Sequence, residues 1–405
     1  MQAGWKAASQ QIGVRLSCAV ILGLFLLICT GRALGQQPCG STVPTDSTLR
    51  PGPAGAAGKP VTVLAFGTSL MWGDGLKQPD TFRYKVADWV AAQAGRPVQL
   101  TTYAHSAALL SPPAPGSSIP ANPAPSIGDL NTALPTVDAQ IECAANSDSL
   151  RHADLVLMEG CINEVGAEAI AYPWTQTDEL RENTNRYCGD PFFAELQKIH
   201  QYFPTAIVVV AGYYPLVSAR SSAFGFSGTR RLASRATKVY TKNHAASAQQ
   251  HTKRRSRGEE HDVLVENSEV FYQNSKVSLK SAVARVNQNG ETSAFFAQMP
   301  EPARVNGQPT MDPLVAYGAP RRHLWMISFR FLYFWAFYKD DKYWFRQPLC
   351  DRYVKADDIA GLVDRLVCQT NPAFHPNVAG STVYAESMEA VIPTSAISKW
   401  KLEKR

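Results

Sequence analysis

The chain has 405 residues, 45% apolar and 18% charged, a balance that excludes global disorder and suits one large α/β domain with insertions. Its formal charge is only +6, and three of the positive charges, Lys6, Arg15 and Arg32, fall within residues 1–35, which hold no acids. So mild a basic balance argues against a nucleic-acid partner.

Residues 1–35 begin weakly basic, continue through an apolar run from Leu16 to Cys29, and end in Ala33-Leu34-Gly35. This is the layout of a secretory signal peptide. The run is shorter than the ~20 residues that cross a bilayer, so the expectation is a secreted or periplasmic protein with no membrane span once the signal is cut. Beyond it stand Cys39, Cys143, Cys161, Cys188, Cys350 and Cys368. An even count in an exported chain predicts disulfides, and Cys350 with Cys368 is the first pair expected. No Cys-x-x-Cys pair occurs, so no zinc site is expected.

Residues 36–58 are rich in Pro, Gly and small side chains and read as a linker. The domain proper, residues 59–392, opens with Val61–Phe66, an apolar, β-branched run that predicts a buried parallel strand. Gly67 then lets the chain swing out of the sheet, which puts Ser69 at the carboxyl end of the first strand. In an open parallel sheet that edge is where ligands bind, and a hydroxyl held there is a candidate nucleophile.

Apolar residues at Phe82, Val86, Trp89, Val90 and Ala94 predict a helix over 81–94, and Val98–Tyr103 a second strand. His105-Ser-Ala-Ala108 closes that strand ahead of a long proline-rich loop, 111–126. A short helix is expected over Val137–Ala145, a third strand over Asp154–Met158, a helix over Phe192–Tyr202 and a fourth strand over Ala206–Ala211. An insertion at about 226–275 carries the charge run Thr252–Glu260, read as solvated helix and turn. Ser293–Phe296 is a weak fifth strand. The aromatic stretch Phe329–Trp344 has no clean period and reads as core. Ile359–Val367 suits a helix, as does Ser381–Met388, with Pro376 ahead of it, and residues 393–405 read as a basic tail that frays. Strands alternating with helical stretches predict a parallel sheet with helices on both faces.

Four pieces thus fall at strand ends or just ahead of the last helix: Ser69, Ala107, Asn163 and His375. In this order, with Phe374-His-Pro-Asn-Val-Ala-Gly380 and Tyr384 beyond it, the chain resembles the SGNH (GDSL-type) serine hydrolases over about residues 60–390. The resemblance implies a three-layer α/β/α flavodoxin-like fold with a mostly parallel five-stranded sheet. It implies Ser69 as nucleophile, His375 as base, and an oxyanion hole made of the backbone N–H groups of Ser69 and Ala107 with the side-chain amide of Asn163.

The pattern departs from the family in four places. Gly67-Thr68-Ser69 replaces Gly-Asp-Ser, Ala107 replaces a glycine, and Gly160-Cys-Ile-Asn163-Glu164 carries one residue more than Gly-x-Asn-Asp, with Cys161 near the glycine slot. The place of the base-orienting aspartate holds Pro372, whose main-chain carbonyl, or a neighbouring one, is expected to accept the His375 Nδ1 proton, leaving a Ser–His dyad. Of the other histidines, His323 reads as a loop residue and His105 as a packed turn residue.

The reading is a secreted esterase or lipase acting on acyl esters through an acyl-enzyme, needing neither cofactor nor metal and working as a monomer. Leu109-Leu110, Leu324-Trp325 and Phe329–Trp335 tilt the substrate towards lipid or other acyl esters. The rival is a non-catalytic wall- or lipid-binding protein with a decayed site, for which Thr68, Ala107 and the missing aspartate argue. An acyltransferase or carbohydrate deacetylase of the same fold is the remaining alternative.

Overall fold

A computed structural model of the chain describes residues 44–54, 56, 58–74, 76–112, 136–170, 173–217, 257–288, 293–299, 304–305, 308–309, 324–329, 332–337, 375–376 and 378–402. The signal segment, most of the proline-rich loop, His323, the Cys350–Cys368 pair, the helix expected over 359–367 and Pro372 lie outside these residues.

The centre of the fold is β2, Val61–Phe66, whose six residues are all buried. Its continuous apolar character follows from its position, since a parallel strand flanked by others and covered on both faces meets no water. β3 (Val98–Thr102) pairs parallel to one side of it and β4 (Leu155–Met158) to the other, with Val63 opposite both Leu100 and Leu155. β5 (Ile207–Ala211) and β6 (Ser293–Ala297) continue the parallel sheet beyond β4. The order is β1-β3-β2-β4-β5-β6, and its five parallel strands are those expected from the sequence.

That order decides where helices go. The crossover from β2 to β3 runs through α2 (Phe82–Ala94), and the next, from β3 to β4 through α3 (Val137–Ala145), turns back in the opposite direction. Right-handed crossovers of opposite direction lie on opposite faces. α6 (Thr177–Cys188), α7 (Asp190–Tyr202) and α8 (Arg257–Asn287) share the α3 face, while α9 (Val378–Glu389) and α10 (Thr394–Leu402) pack on α2. The result is a three-layer α/β/α fold. The reversal of strand order leaves a crevice at the carboxyl ends of β2 and β4, where open α/β sheets place ligands.

The expected linker contains a sixth strand. β1, Asp46–Arg50, pairs antiparallel with β3 at the sheet edge, with Asp46 opposite Thr102. It is polar and half exposed, so nothing apolar announces it. Side chains tether it instead: the Tyr84 hydroxyl donates to Asp46 at 2.6 Å, and Arg50 meets Asp88 in a two-point contact.

The expected insertion ends in secondary structure as well. α8 begins at Arg257, and Glu259 and Glu260 in its first turn suit the positive end of a helix dipole. Its core side, with Leu264, Phe271, Tyr272 and Leu279, also buries Asn267, Ser268 and Ser275, and those polar residues blur the apolar period. Ser268 accepts the Val217 N–H at 2.8 Å.

Most of the expected frayed tail is α10. Ala396, Ile397 and Trp400 form one buried stripe among the lysines, Trp400 being only 1% exposed. Buried Arg96 donates to the Trp400 carbonyl and to the Lys59 carbonyl, both at 2.8 Å, which ties the C-terminal helix to the start of β2. A hairpin runs into the aromatic stretch, β7 (Leu324–Phe329) with β8 (Leu332–Phe337), Phe329 paired with Leu332. Both strands are apolar at almost every position, so no alternation marks them. Among the described residues no helix is long and apolar enough to cross a membrane.

Candidate active site

Gly67 ends β2 with φ 152°, and a β-carbon there would stand 2.6 Å from Glu159 Oε1 and 2.9 Å from the Glu159 carbonyl. Only glycine lets the chain turn this close to β4. The buried Gln140 side chain pairs with the Gly67 peptide groups, accepting from its N–H at 2.8 Å and donating to its carbonyl at 3.0 Å. The turn is thereby fixed from α3, on which Gln140 lies.

Thr68 takes extended backbone and caps α1, Ser69–Trp72, its hydroxyl accepting the Leu70 N–H at 3.4 Å. Ser69 is the first helical residue and 7% exposed. Beneath it lies Glu159, wholly buried at the end of β4, with Oε1 accepting the N–H groups of Thr68 at 2.5 Å and Met71 at 3.2 Å. Burial pushes this carboxyl above the usual range, and the hydrogen bonds from Thr68, Met71 and Tyr213 pull against it. Thr68 and Glu159 together thus hold the turn that carries Ser69. At the far end of α1, buried Arg83 donates to the carbonyls of Met71, at 2.8 Å, and of Trp72. A cation satisfying the last carbonyls complements the helix end.

His375 stands three residues ahead of α9, and that helix is docked by side chains. Ser381 donates to the Asp80 carbonyl at 2.6 Å, and Tyr384 donates to the Gly212 carbonyl at 3.2 Å while stacking on Phe82 with ring centroids 5.0 Å apart. The docking brings His375 Nε2 to 2.7 Å from Ser69 Oγ, across 306 positions of sequence. Pro372 lies outside the described residues.

Ala107 has φ 60°. The left-handed backbone that a glycine adopts freely is therefore kept with alanine in its place, at a cost of about 1 kcal/mol. Among the described residues, neither the Ser69 N–H nor the Ala107 N–H has a hydrogen-bond partner. The turn leading to Ala107 is held by the His105 N–H on the Gly67 carbonyl at 3.1 Å, and by Ser106 on buried Asp74 at 2.8 Å, whose own N–H meets the Ser69 carbonyl at 3.0 Å. His105 is buried, with Nδ1 donating to the Ser106 carbonyl at 2.9 Å, a packed turn residue as its sequence context suggests.

Asn163 sits on α4, Ile162–Val165, and its side-chain amide donates to the Ala108 carbonyl at 2.8 Å. A primary amide has two N–H donors, so this contact uses half of its capacity. The adjacent Glu164 accepts the Leu110 N–H through Oε1, its Oε2 is buried without a partner among the described residues, and burial pushes its pKa up to about 7. Cys161 caps α4 with φ 94°, whereas Gly160 has no positive φ. Cys161 is therefore the residue that makes the turn into α4. Cys161 is joined to Cys188, the last residue of α6.

Ser69 and His375 are brought together, and Ala107 and Asn163 are linked through Ala108. Sequence reasoning missed Glu159, Gln140, Asp74, Arg83 and Tyr213. For Glu159 there was a signal, an acid directly after an all-apolar parallel strand.

No family model and no curated protein matches the sequence. Among solved structures the chain is similar to an extracellular lipase from Streptomyces rimosus, at 13% identity over 82% of this chain and 100% of that one, with a TM-score of 0.37. It is also similar to phospholipase A1 from Streptomyces albidoflavus NA297, at 13% identity over 59% and 79% with a TM-score of 0.30. A family two carbohydrate esterase from Clostridium thermocellum matches at 12% identity over 56% and 66% with a TM-score of 0.23. Likeness this distant assigns no chemistry, which has to be read from the side chains at the β2–β4 crevice.

Proposed function

We propose that the chain is an exported serine hydrolase of carboxylic esters, of the SGNH type, working through a Ser69–His375 dyad. The 2.7 Å approach of His375 Nε2 to Ser69 Oγ carries this reading, because a serine hydroxyl becomes nucleophilic only with a base within hydrogen-bond reach. His375 takes the hydroxyl proton as Oγ attacks the ester carbonyl carbon. The carbonyl oxygen becomes an oxyanion, held by the N–H groups of Ser69 and Ala107 and the second amide N–H of Asn163. His375 then returns the proton to the departing alcohol, leaving an acyl-enzyme on Ser69. A water molecule, deprotonated by the same imidazole, attacks the acyl carbon and releases the acid.

Pro372, or a neighbouring main-chain carbonyl, is the orienting acceptor for His375 Nδ1. A neutral acceptor stabilises the imidazolium less than a carboxylate does, so moderate turnover goes with the dyad. Two departures that favour a decayed site are accommodated locally, Thr68 by capping α1 and Ala107 by taking left-handed backbone. The substrate is a lipid or another acyl ester, and the mature chain works as a monomer outside the cytoplasm.

A series of p-nitrophenyl esters from acetate to palmitate tests the reading. Turnover is expected that disappears in Ser69→Ala, with medium acyl chains preferred to acetate. Turnover of acetate alone would favour the deacetylase alternative. No turnover of any ester by folded protein would favour the binding protein.

A further inference from the structure

The crevice depends on a feature outside the dyad. Cys161 and Cys188 are both 0% exposed, and their disulfide ties the turn after β4 to the end of α6, 27 positions away. Cys161 holds φ 94°, a backbone state that any residue with a β-carbon resists. It also directly precedes α4, whose first three residues each make a hydrogen bond to a neighbouring segment. The Ile162 N–H meets the Tyr213 hydroxyl at 3.3 Å, Asn163 donates to the Ala108 carbonyl, and Glu164 accepts the Leu110 N–H. The Tyr213 hydroxyl in turn donates to the Gly160 carbonyl at 2.6 Å. The direction in which residue 161 leaves the sheet therefore sets where α4 points, and α4 grips residues 108–110 just after Ala107.

Resting on the hydrolase reading above, we infer that the Cys161–Cys188 disulfide is a positioning device for the oxyanion donors. It holds residue 161 in the left-handed turn that a glycine would adopt unaided, and so keeps the Asn163 amide and the Ala107 N–H aimed at one point. The bond thus does in this chain what a glycine does in the Gly-x-Asn-Asp pattern. Its role goes beyond stapling the fold, and this can be measured.

Two double variants separate the roles. Cys161→Ala with Cys188→Ala removes the cross-link and leaves a β-carbon at the strained position, while Cys161→Gly with Cys188→Ala removes the same cross-link and leaves a residue that enters the turn freely. Both are expected to lose Tm to a similar extent. With p-nitrophenyl butyrate, the alanine pair should lose about 10²-fold in kcat with KM within about twofold, the size of effect that follows loss of one oxyanion donor. The glycine pair should stay within about fivefold of the unaltered protein. In an Asn163→Ala background the exchange of alanine for glycine at 161 should have a much smaller effect, because one of the two donors being aimed is gone. Should the alanine pair fail to fold, Cys161→Asn with Cys188→Ala takes its place, with kcat expected between the other two, since asparagine enters left-handed backbone more readily than alanine.

Equal kcat in the alanine and glycine pairs, whether high or low, would overturn the inference and leave the bond a plain staple. A starting protein that turns over no ester and whose Ser69 ignores a fluorophosphonate would instead sink the hydrolase reading itself.

Discussion

Replacing His375 by alanine is expected to lower kcat/KM on a short-chain ester by about 10⁴-fold, with little change in Tm. The size follows from the dyad, since the only base within reach of Ser69 Oγ among the described residues is this imidazole, 2.7 Å away. The small stability effect follows from how the histidine is held. α9 is docked by Ser381 on the Asp80 carbonyl and by Tyr384 between Phe82 and Tyr214, all independent of the ring. His105 offers no substitute, because it is buried and, among the described residues, makes no hydrogen bond to Ser69 Oγ. Steady-state kinetics on His375→Ala with a thermal melt checks both halves, and retention of more than a tenth of the activity would show that another group takes the proton.

Asn163→Ala is expected to cost about 10²–10³ in kcat with KM nearly unchanged, the range seen when one oxyanion donor is removed. An interaction made only with the charged intermediate contributes nothing to substrate binding, so its loss appears in kcat rather than KM. Part of the effect runs through Ala108, whose carbonyl accepts the amide at 2.8 Å and so places the neighbouring Ala107 N–H. Asn163→Asp should fall at least as far. A carboxylate has no N–H to give the oxyanion, repels it, and cannot donate to the Ala108 carbonyl. A loss confined to KM in either variant would remove Asn163 from the oxyanion hole.

Of the five parallel strands, β2, β4 and β5 were the most legible because each is a short, nearly continuous apolar run, the signature of a strand covered on both faces, whereas β3 and β6 mix Gln, Thr and Ser with their apolar residues. β1 was not legible, since Asp46–Arg50 gains its place from backbone pairing with β3 and from tethers to Tyr84 and Asp88 rather than from burial. α8 was hidden by the polar residues it buries, and α10 by the lysines around Ala396, Ile397 and Trp400. At the site, Ser69 and His375 could be named because a resemblance carries them. The groups that hold them could not. Glu159, Gln140, Asp74 and Arg83 act on backbone or side-chain groups brought beside them only by folding, and no spacing rule relates an acid after β4 to the N–H groups of α1. Which residue makes the turn after β4 is hidden for a similar reason. Sequence shows a glycine at 160, and only the φ of 94° at Cys161 shows which residue turns.

Active-serine labelling goes most directly to the central claim. A fluorophosphonate attaches to a serine only where a base activates the hydroxyl and an oxyanion hole receives the phosphoryl oxygen. The full chain, folded and purified, is expected to take up one equivalent on the peptide containing Ser69, and to take up none in Ser69→Ala. A folded protein left unlabelled, or one labelled at a different residue, would contradict the account.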